Sequence, residues 1–191
     1  ITATPSATPT RPPDRCVDLI ANGGFESSGG WQINNTVYPA RIVSAPVYSG
    51  LRALQAGIIA VPDNVYSYSS AQQTLFIPAG PPSVALSFQL LATTTGARAA
   101  RLTPPPLVPT SPLDRAQLAG DAQMVLLFDS SGQQHVLLFQ RQGDSQWQRH
   151  VVDLSAFRGQ AVTLYFGVFN NGVGGITSMA VDDVAVTYCL P

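Results

Sequence analysis

The chain has 191 residues, 45% of them hydrophobic and only 11% charged, where an average globular domain carries roughly a quarter charged. That length allows one domain with a well-formed core. A formal net charge of -1, with ten scattered Arg and no Lys, excludes the basic footprint of a nucleic-acid binder. No apolar run approaches the roughly 18 to 20 residues of a membrane-spanning helix.

Residues 1–15 are Thr, Pro, Ser and Ala with few others, the composition of an extended linker or O-glycosylated stalk. Ile1 to Thr10 lacks the charged and apolar regions of a signal peptide, so the chain reads as mature or shortened at its start. From Cys16 the pattern becomes that of β-structure. Cys16–Ile20 is a first strand, and Asn22-Gly23-Gly24 is a turn whose glycines permit positive φ. Further strands are expected at Trp31–Ile33, Ala40–Ser44, Ala53–Ile59, Ala71–Ile77 and Val84–Leu91. The second half continues with Met124–Phe128, Val136–Arg141, Trp147–Leu154 and Val162–Phe169. Asp129-Ser130-Ser131-Gly132 marks a hairpin turn. No segment longer than one turn has helical periodicity. Many short strands at regular spacing mean an all-β sandwich or barrel for residues 16–191.

Residues 94–122 interrupt this pattern with Pro104-Pro105-Pro106, Pro109 and Pro112, and are too long for an ordinary hairpin loop. Leu102, Leu107, Val108, Leu113 and Leu118 argue against a purely solvated linker. This Pro-rich insertion is either a flap folded onto the sandwich or a docking arm.

The last stretch, Met179 to Cys189, alternates like a half-buried strand. Continuing that alternation backwards puts Asp182 on the same face as Val184 and Val186, where its charge needs a partner, and a bound cation is one. Glu26 is the only glutamate in the chain and the expected second ligand. The two cysteines, Cys16 and Cys189, sit at the two ends of the domain. A disulfide between them would close nearly all of it and implies an oxidising, exported setting, secreted or at the cell surface.

Leu19-Ile20-Ala21-Asn22-Gly23-Gly24-Phe25-Glu26 with Trp31, Val47-Tyr48-Ser49-Gly50-Leu51-Arg52-Ala53-Leu54, Leu86-Ser87-Phe88, Trp147 with Val152-Asp153-Leu154-Ser155, and Val181-Asp182-Asp183-Val184 follow one another in an order that resembles a known family. It is that of calcium-bearing jelly-roll carbohydrate-binding modules appended to xylanases, of the galactose-binding-like type. The resemblance spans about residues 16 to 190. It implies a jelly-roll β-sandwich and a structural Ca²⁺ held by Glu26, Asp182, the carbonyl of Gly24 and carbonyls around Ser49 to Arg52. Such hard oxygen ligands suit calcium. The alternative is that Glu26 and Asp182 or Asp183 accept backbone or Arg hydrogen bonds with no metal. The resemblance also implies that Trp31 and Trp147 pack inside the sandwich. The remaining candidates for a sugar-binding face are then Tyr38, Tyr48, Tyr66 and Tyr68, of which Tyr66 and Tyr68 alternate, would point the same way and have Gln72 nearby; the other reading is loop tyrosines with buried rings.

No enzyme is expected. Glycoside hydrolysis needs two carboxylates facing one cleft, whereas Asp63, Asp129 and Asp144 read as loop residues and Asp153 as part of a bend. His135 and His150 have no cysteine or paired acid at metal spacing. Two readings of function follow. The first is a non-catalytic structural subunit of an extracellular filament, sheath or surface layer, which meets copies of itself or other surface proteins through the arm and the insertion. The second is a carbohydrate-binding module tethered by the Thr/Pro arm, with polysaccharide as its partner.

Overall fold

A computed structural model describes residues 15–97 and 120–190, with Arg15 and Leu190 described in the backbone alone. The expected arm up to residue 14 and residues 98–119 of the expected insertion lie outside the described residues. The strands are β1 Arg15–Asp18, β2 Gln32–Ile33, β3 Arg41–Val43, β4 Ala53–Gly57, β5 Tyr66–Ile77 and β6 Ala85–Thr94. They continue with β7 Ala122–Phe128, β8 Gln134–Gln140, β9 Gln148–Asp153, β10 Gln160–Asn171 and β11 Thr177–Leu190. Thr94 and Ala122, the two ends of the expected insertion, are therefore strand residues.

The strands form two antiparallel sheets. One runs β3-β4-β11-β6-β9 with β1 also beside β11, and the other runs β2-β5-β10-β7-β8. They pack face to face as a jelly-roll sandwich, because alternate residues along each strand are apolar and point to one shared interior. From the second sheet these are Ala71, Leu75, Ile77, Val125, Leu127, Val162, Leu164, Phe166 and Val168; from the first, Leu54, Leu86, Phe88, Leu90, Val181, Val184 and Val186. Aromatic rings bridge the two layers: Trp31 lies 5.8 Å from Phe166 and 5.3 Å from Phe25, and Phe88 lies 5.2 Å from Phe166.

Strand β11 is where the two ends of the domain meet. One edge pairs with β6, and the other is shared by β4 at Ser178–Val181 and β1 at Thr187–Leu190. The turn after β1 fills the gap between them: Leu19 N–H donates to Val186 O at 2.9 Å, and Val184 N–H donates to Gly23 O at 3.0 Å. Cys16 is paired opposite Cys189, and their sulfurs are joined in a disulfide spanning 173 residues of chain.

Three expectations are corrected. A β-bulge between Asp182 and Ala185 breaks the alternation of β11, so Val181 and Val184 both face the core and Asp182 points to the opposite, outer side of the sheet. Trp147 does not pack inside the sandwich; it precedes β9, half-buried, with its ring against Tyr48. Tyr66 and Tyr68 are not loop residues, because β5 begins at Tyr66 and pairs with β10 along its whole length.

Candidate functional site

Around the β11 bulge, carboxylates tie the loop at 48–52 to the last strand and to the turn at 22–26. Asp182 is wholly buried although it faces outward, because the loop from Ser44 to Arg52 covers it. Its Oδ2 accepts the N–H of Tyr48 at 2.9 Å and of Ser49 at 3.1 Å, and its Oδ1 accepts the N–H of Asp183 at 2.8 Å. Burial pushes its pKa up, and these three donors oppose that shift. Glu26 Oε1 accepts the N–H of Leu51 at 2.7 Å and of Arg52 at 3.1 Å, and Asp183 Oδ1 accepts the Ser49 hydroxyl at 2.7 Å.

The sequence builds this junction with residues that tolerate crowding. A Cβ at Gly23 would stand 1.8 Å from Val184 O, and one at Gly50, whose φ is +64°, would stand 2.1 Å from Glu26 Oε1. Asn22, Phe25 and Asp183 are the non-glycine residues of positive φ among the described residues, and all three belong to this junction. Such conformations persist only where surrounding contacts over-determine them. Here Phe25 is held by its fully buried ring, while its neighbour Glu26 turns outward to the 48–52 loop.

All six expected metal-site residues, Glu26, Asp182, Gly24, Ser49, Arg52 and Asp183, come together here. Ser49 and Arg52 offer their N–H groups to the carboxylates, and the Cβ position of Gly24 lies 3.8 Å from Glu26 Cγ and 3.9 Å from Asp183 Oδ1. No three His, Cys, Asp or Glu side chains among the described residues form a metal-holding group. Glu26 Oε2 and Asp183 Oδ2 accept no hydrogen bond among the described residues, which leaves one carboxylate oxygen on each, of the hard type that suits an oxygen-ligated cation. Asp182, with both oxygens on amides, fits the part of loop anchor instead.

The outward face of the β2-β5-β10-β7-β8 sheet carries a second apolar cluster. Ala122, Met124, Leu126 and Phe169 are buried there, with Tyr66, Tyr68, Tyr165, Phe128, Val136 and Phe139 half-buried around them. The Tyr66 and Tyr68 rings lie 5.2 Å and 4.9 Å from that of Phe169, and the Gln72 amide donates to Gln32 Oε1 at 3.3 Å. Tyr165 lies over Gly167, where any Cβ would strike its ring at 2.3 Å, and burial pushes its phenol pKa up. A sequence signal for this cluster existed. Ala122 to Phe128 is apolar at almost every position, as in a strand buried on both faces.

The outer side of the other sheet presents a different aromatic pair. Tyr48 is 49% exposed, and its ring meets Trp147 edge-on, with centroids 5.8 Å apart at 65°. Gln89, opposite both Asp182 and Arg149 in the sheet, shares this side. An open cavity of about 580 Å³ is lined by Ile42, Val43, Val47, Leu51 and Arg52 among others.

The remaining acids are dispersed. Asp129 bonds His135 at 2.8 Å and the Ser131 hydroxyl and N–H within its turn, which holds its carboxyl well below the usual range. Asp153 is lowered by the Ser155 hydroxyl and N–H. Asp121 accepts the Asn170 amide at 3.1 Å and the Asn171 N–H at 2.8 Å.

No protein-family model and no curated protein matches this sequence. Solved structures do. TmCBM61, a carbohydrate-binding module in complex with β-1,4-galactotriose, matches with a TM-score of 0.59 at 12% identity, covering 89% of this chain and 97% of that one. The N-terminal CBM22 tandem domain of Paenibacillus barcinonensis Xyn10C matches with a TM-score of 0.52 at 13% identity, covering 96% of this chain and 48% of that one. The enzymatically active domain of bacteriophage CBA120 tailspike protein 4 matches with a TM-score of 0.50 at 12% identity, covering 91% of this chain and 21% of that one. At these identities the likeness is one of fold: the chain has the jelly-roll β-sandwich architecture of carbohydrate-binding modules.

Proposed function

We propose that the domain is a non-catalytic carbohydrate-binding module of an exported protein, tethered through its Thr/Pro-rich residues 1–15. The observation that carries this reading is the mutual coverage with TmCBM61, because nearly the whole of a sugar-binding module, and little else, corresponds to the described fold. Three further features support it. Among the described residues, the carboxylates of Glu26, Asp121, Asp129 and Asp153 serve as turn and loop anchors. The disulfide suits an oxidising compartment. The charge-poor composition suits a neutral ligand. The alternative reading as an assembly subunit rests on the arm and the insertion, and no comparison supports it.

A structural Ca²⁺ at Glu26 and Asp183 belongs to the same proposal; it would cross-link the 22–26 turn to the bulge of β11. The test of function is retention of the untagged domain on a panel of soluble and insoluble polysaccharides by affinity electrophoresis and pull-down. Retention on at least one, competed by the soluble oligosaccharide, is expected. No retention on any would refute the reading.

A further inference from the structure

We infer that Tyr48 and Trp147 form a sugar-stacking platform on the outer side of the β3-β4-β11-β6-β9 sheet, which takes one pyranose unit of a neutral polysaccharide. The inference rests on the carbohydrate-binding reading above and locates the ligand away from the Tyr66–Tyr68 face. On that face the rings pack around Phe169 and Met124, both about 1% exposed, so the aromatic surface is spent on a second core. Tyr48, by contrast, keeps half its surface in solvent.

The geometry suits a sugar. A pyranose has a flat C–H face and a rim of hydroxyls. Two rings at 65° make an L-shaped corner in which one stacks under the C–H face while the other borders its edge. Hydroxyls need donors and acceptors at the margin, and the same side of the sheet supplies them. Arg149 is exposed opposite Gln89, which in turn lies opposite Asp182.

The platform is also fixed before any ligand arrives. The Tyr48 and Ser49 N–H groups are tied to buried Asp182, and those of Leu51 and Arg52 to Glu26. A loop already ordered loses little conformational freedom on binding. This gives the carboxylate junction a role in recognition: it holds Tyr48 against Trp147.

The test uses the whole chain in affinity electrophoresis against β-1,4-galactan, xylan and mixed-linkage β-glucan. Tyr48→Ala and Trp147→Ala are each expected to weaken retardation by roughly tenfold or more, and Tyr48→Phe to lose less than Tyr48→Ala. Val173→Ala, which truncates an exposed apolar side chain elsewhere, is expected to bind as the parent does. Fluorescence gives a second readout, since Trp31 packs against the core and Trp147 lies at the platform. Sugar should perturb emission in the parent and leave Trp147→Phe unchanged, which also covers the case in which Trp147→Ala fails to fold. A parent that binds while both alanine variants bind within about twofold of it overturns this inference and leaves the module reading intact. A parent that binds none of the polysaccharides overturns both.

Discussion

Asp182 and Tyr48 are 134 positions apart, yet the carboxylate of one accepts the backbone N–H of the other at 2.9 Å in a site closed to solvent. Replacing Asp182 by Ala would leave the N–H groups of Tyr48, Ser49 and Asp183 without their acceptor. At about 1 kcal/mol or more for each stranded donor, a loss of roughly 3 kcal/mol is expected. Asp182→Asn keeps one acceptor oxygen and should lose less. Urea denaturation orders the two; equal stability of Asp182→Ala and the parent would mean that water reaches these amides.

The glycines of the same junction make a sharper steric test. Gly50→Ala must push its methyl into Glu26 Oε1 while holding a φ of +64°, and Gly23→Ala meets the backbone carbonyl of Val184. Gly80 has open space around its Cβ position and no positive φ. Gly50→Ala and Gly23→Ala are each expected to cost about 2 kcal/mol or more, by strain and displaced contacts, against near-neutrality for Gly80→Ala. Melting temperatures of the three variants, measured side by side, check this.

Ala85–Thr94 was readable in the sequence because apolar Leu86, Phe88 and Leu90 alternate with Ser87 and Gln89, while Ala53–Gly57 and Gln160–Asn171, buried or apolar on both faces, were readable as short, mostly apolar runs between turn signals. The first half of β5 was not, because Ser67, Ser69 and Ser70 look like a loop until β10 pairs with them and buries them. The residues of the carboxylate junction were readable from the Gly-Gly-Phe-Glu and Val-Asp-Asp-Val segments. The way they meet was not, since a bulge reverses the facing of every residue before it and alternation alone cannot reveal one extra residue. Trp147 illustrates a related limit: an aromatic side chain at a strand end can be drawn to either side by a loop that is remote in sequence.

His150 sets an acid-side limit on stability. Its ring stacks on the core ring of Phe88 at 5.0 Å, nearly parallel, and burial pushes its pKa below the ordinary 6.5, with Asp144 opposing the shift. The unfolded chain therefore takes up this proton at a higher pH than the folded one. Stability from this site is complete above about pH 6.5 and is lost as pH falls through the lower folded-state value. His150→Gln should reduce the change in urea midpoint between pH 7.5 and pH 5. An unchanged pH dependence would place the acid sensitivity elsewhere.

Calcium acts, on the proposal above, through Glu26 and Asp183 at the base of the 48–52 loop. Added Ca²⁺ is expected to raise the melting temperature, since a ligand that binds only the folded state stabilises it by mass action, and a chelator should reverse the rise. In Glu26→Gln the Leu51 and Arg52 amides keep an oxygen acceptor but the charge for the cation is gone, so the Ca²⁺-dependent part of the shift should vanish. A parent protein whose melting temperature ignores both Ca²⁺ and chelator would remove the metal from the account.

The Cys16–Cys189 bond closes a loop of 173 residues, for which chain-entropy arguments give up to about 5 kcal/mol. Its action is distributed, however, because β1 and the following turn are already held to β11 by backbone pairing and by Asp18 Oδ1, which accepts the Val186 N–H at 2.9 Å. Both cysteines are exposed, so a reductant reaches them without unfolding the core. The reduced protein is therefore expected to stay folded at room temperature but to melt well below the oxidised form, and Cys16→Ser/Cys189→Ser should match it. A double variant that melts with the oxidised parent would show that pairing of β1 with β11 alone constrains the two ends.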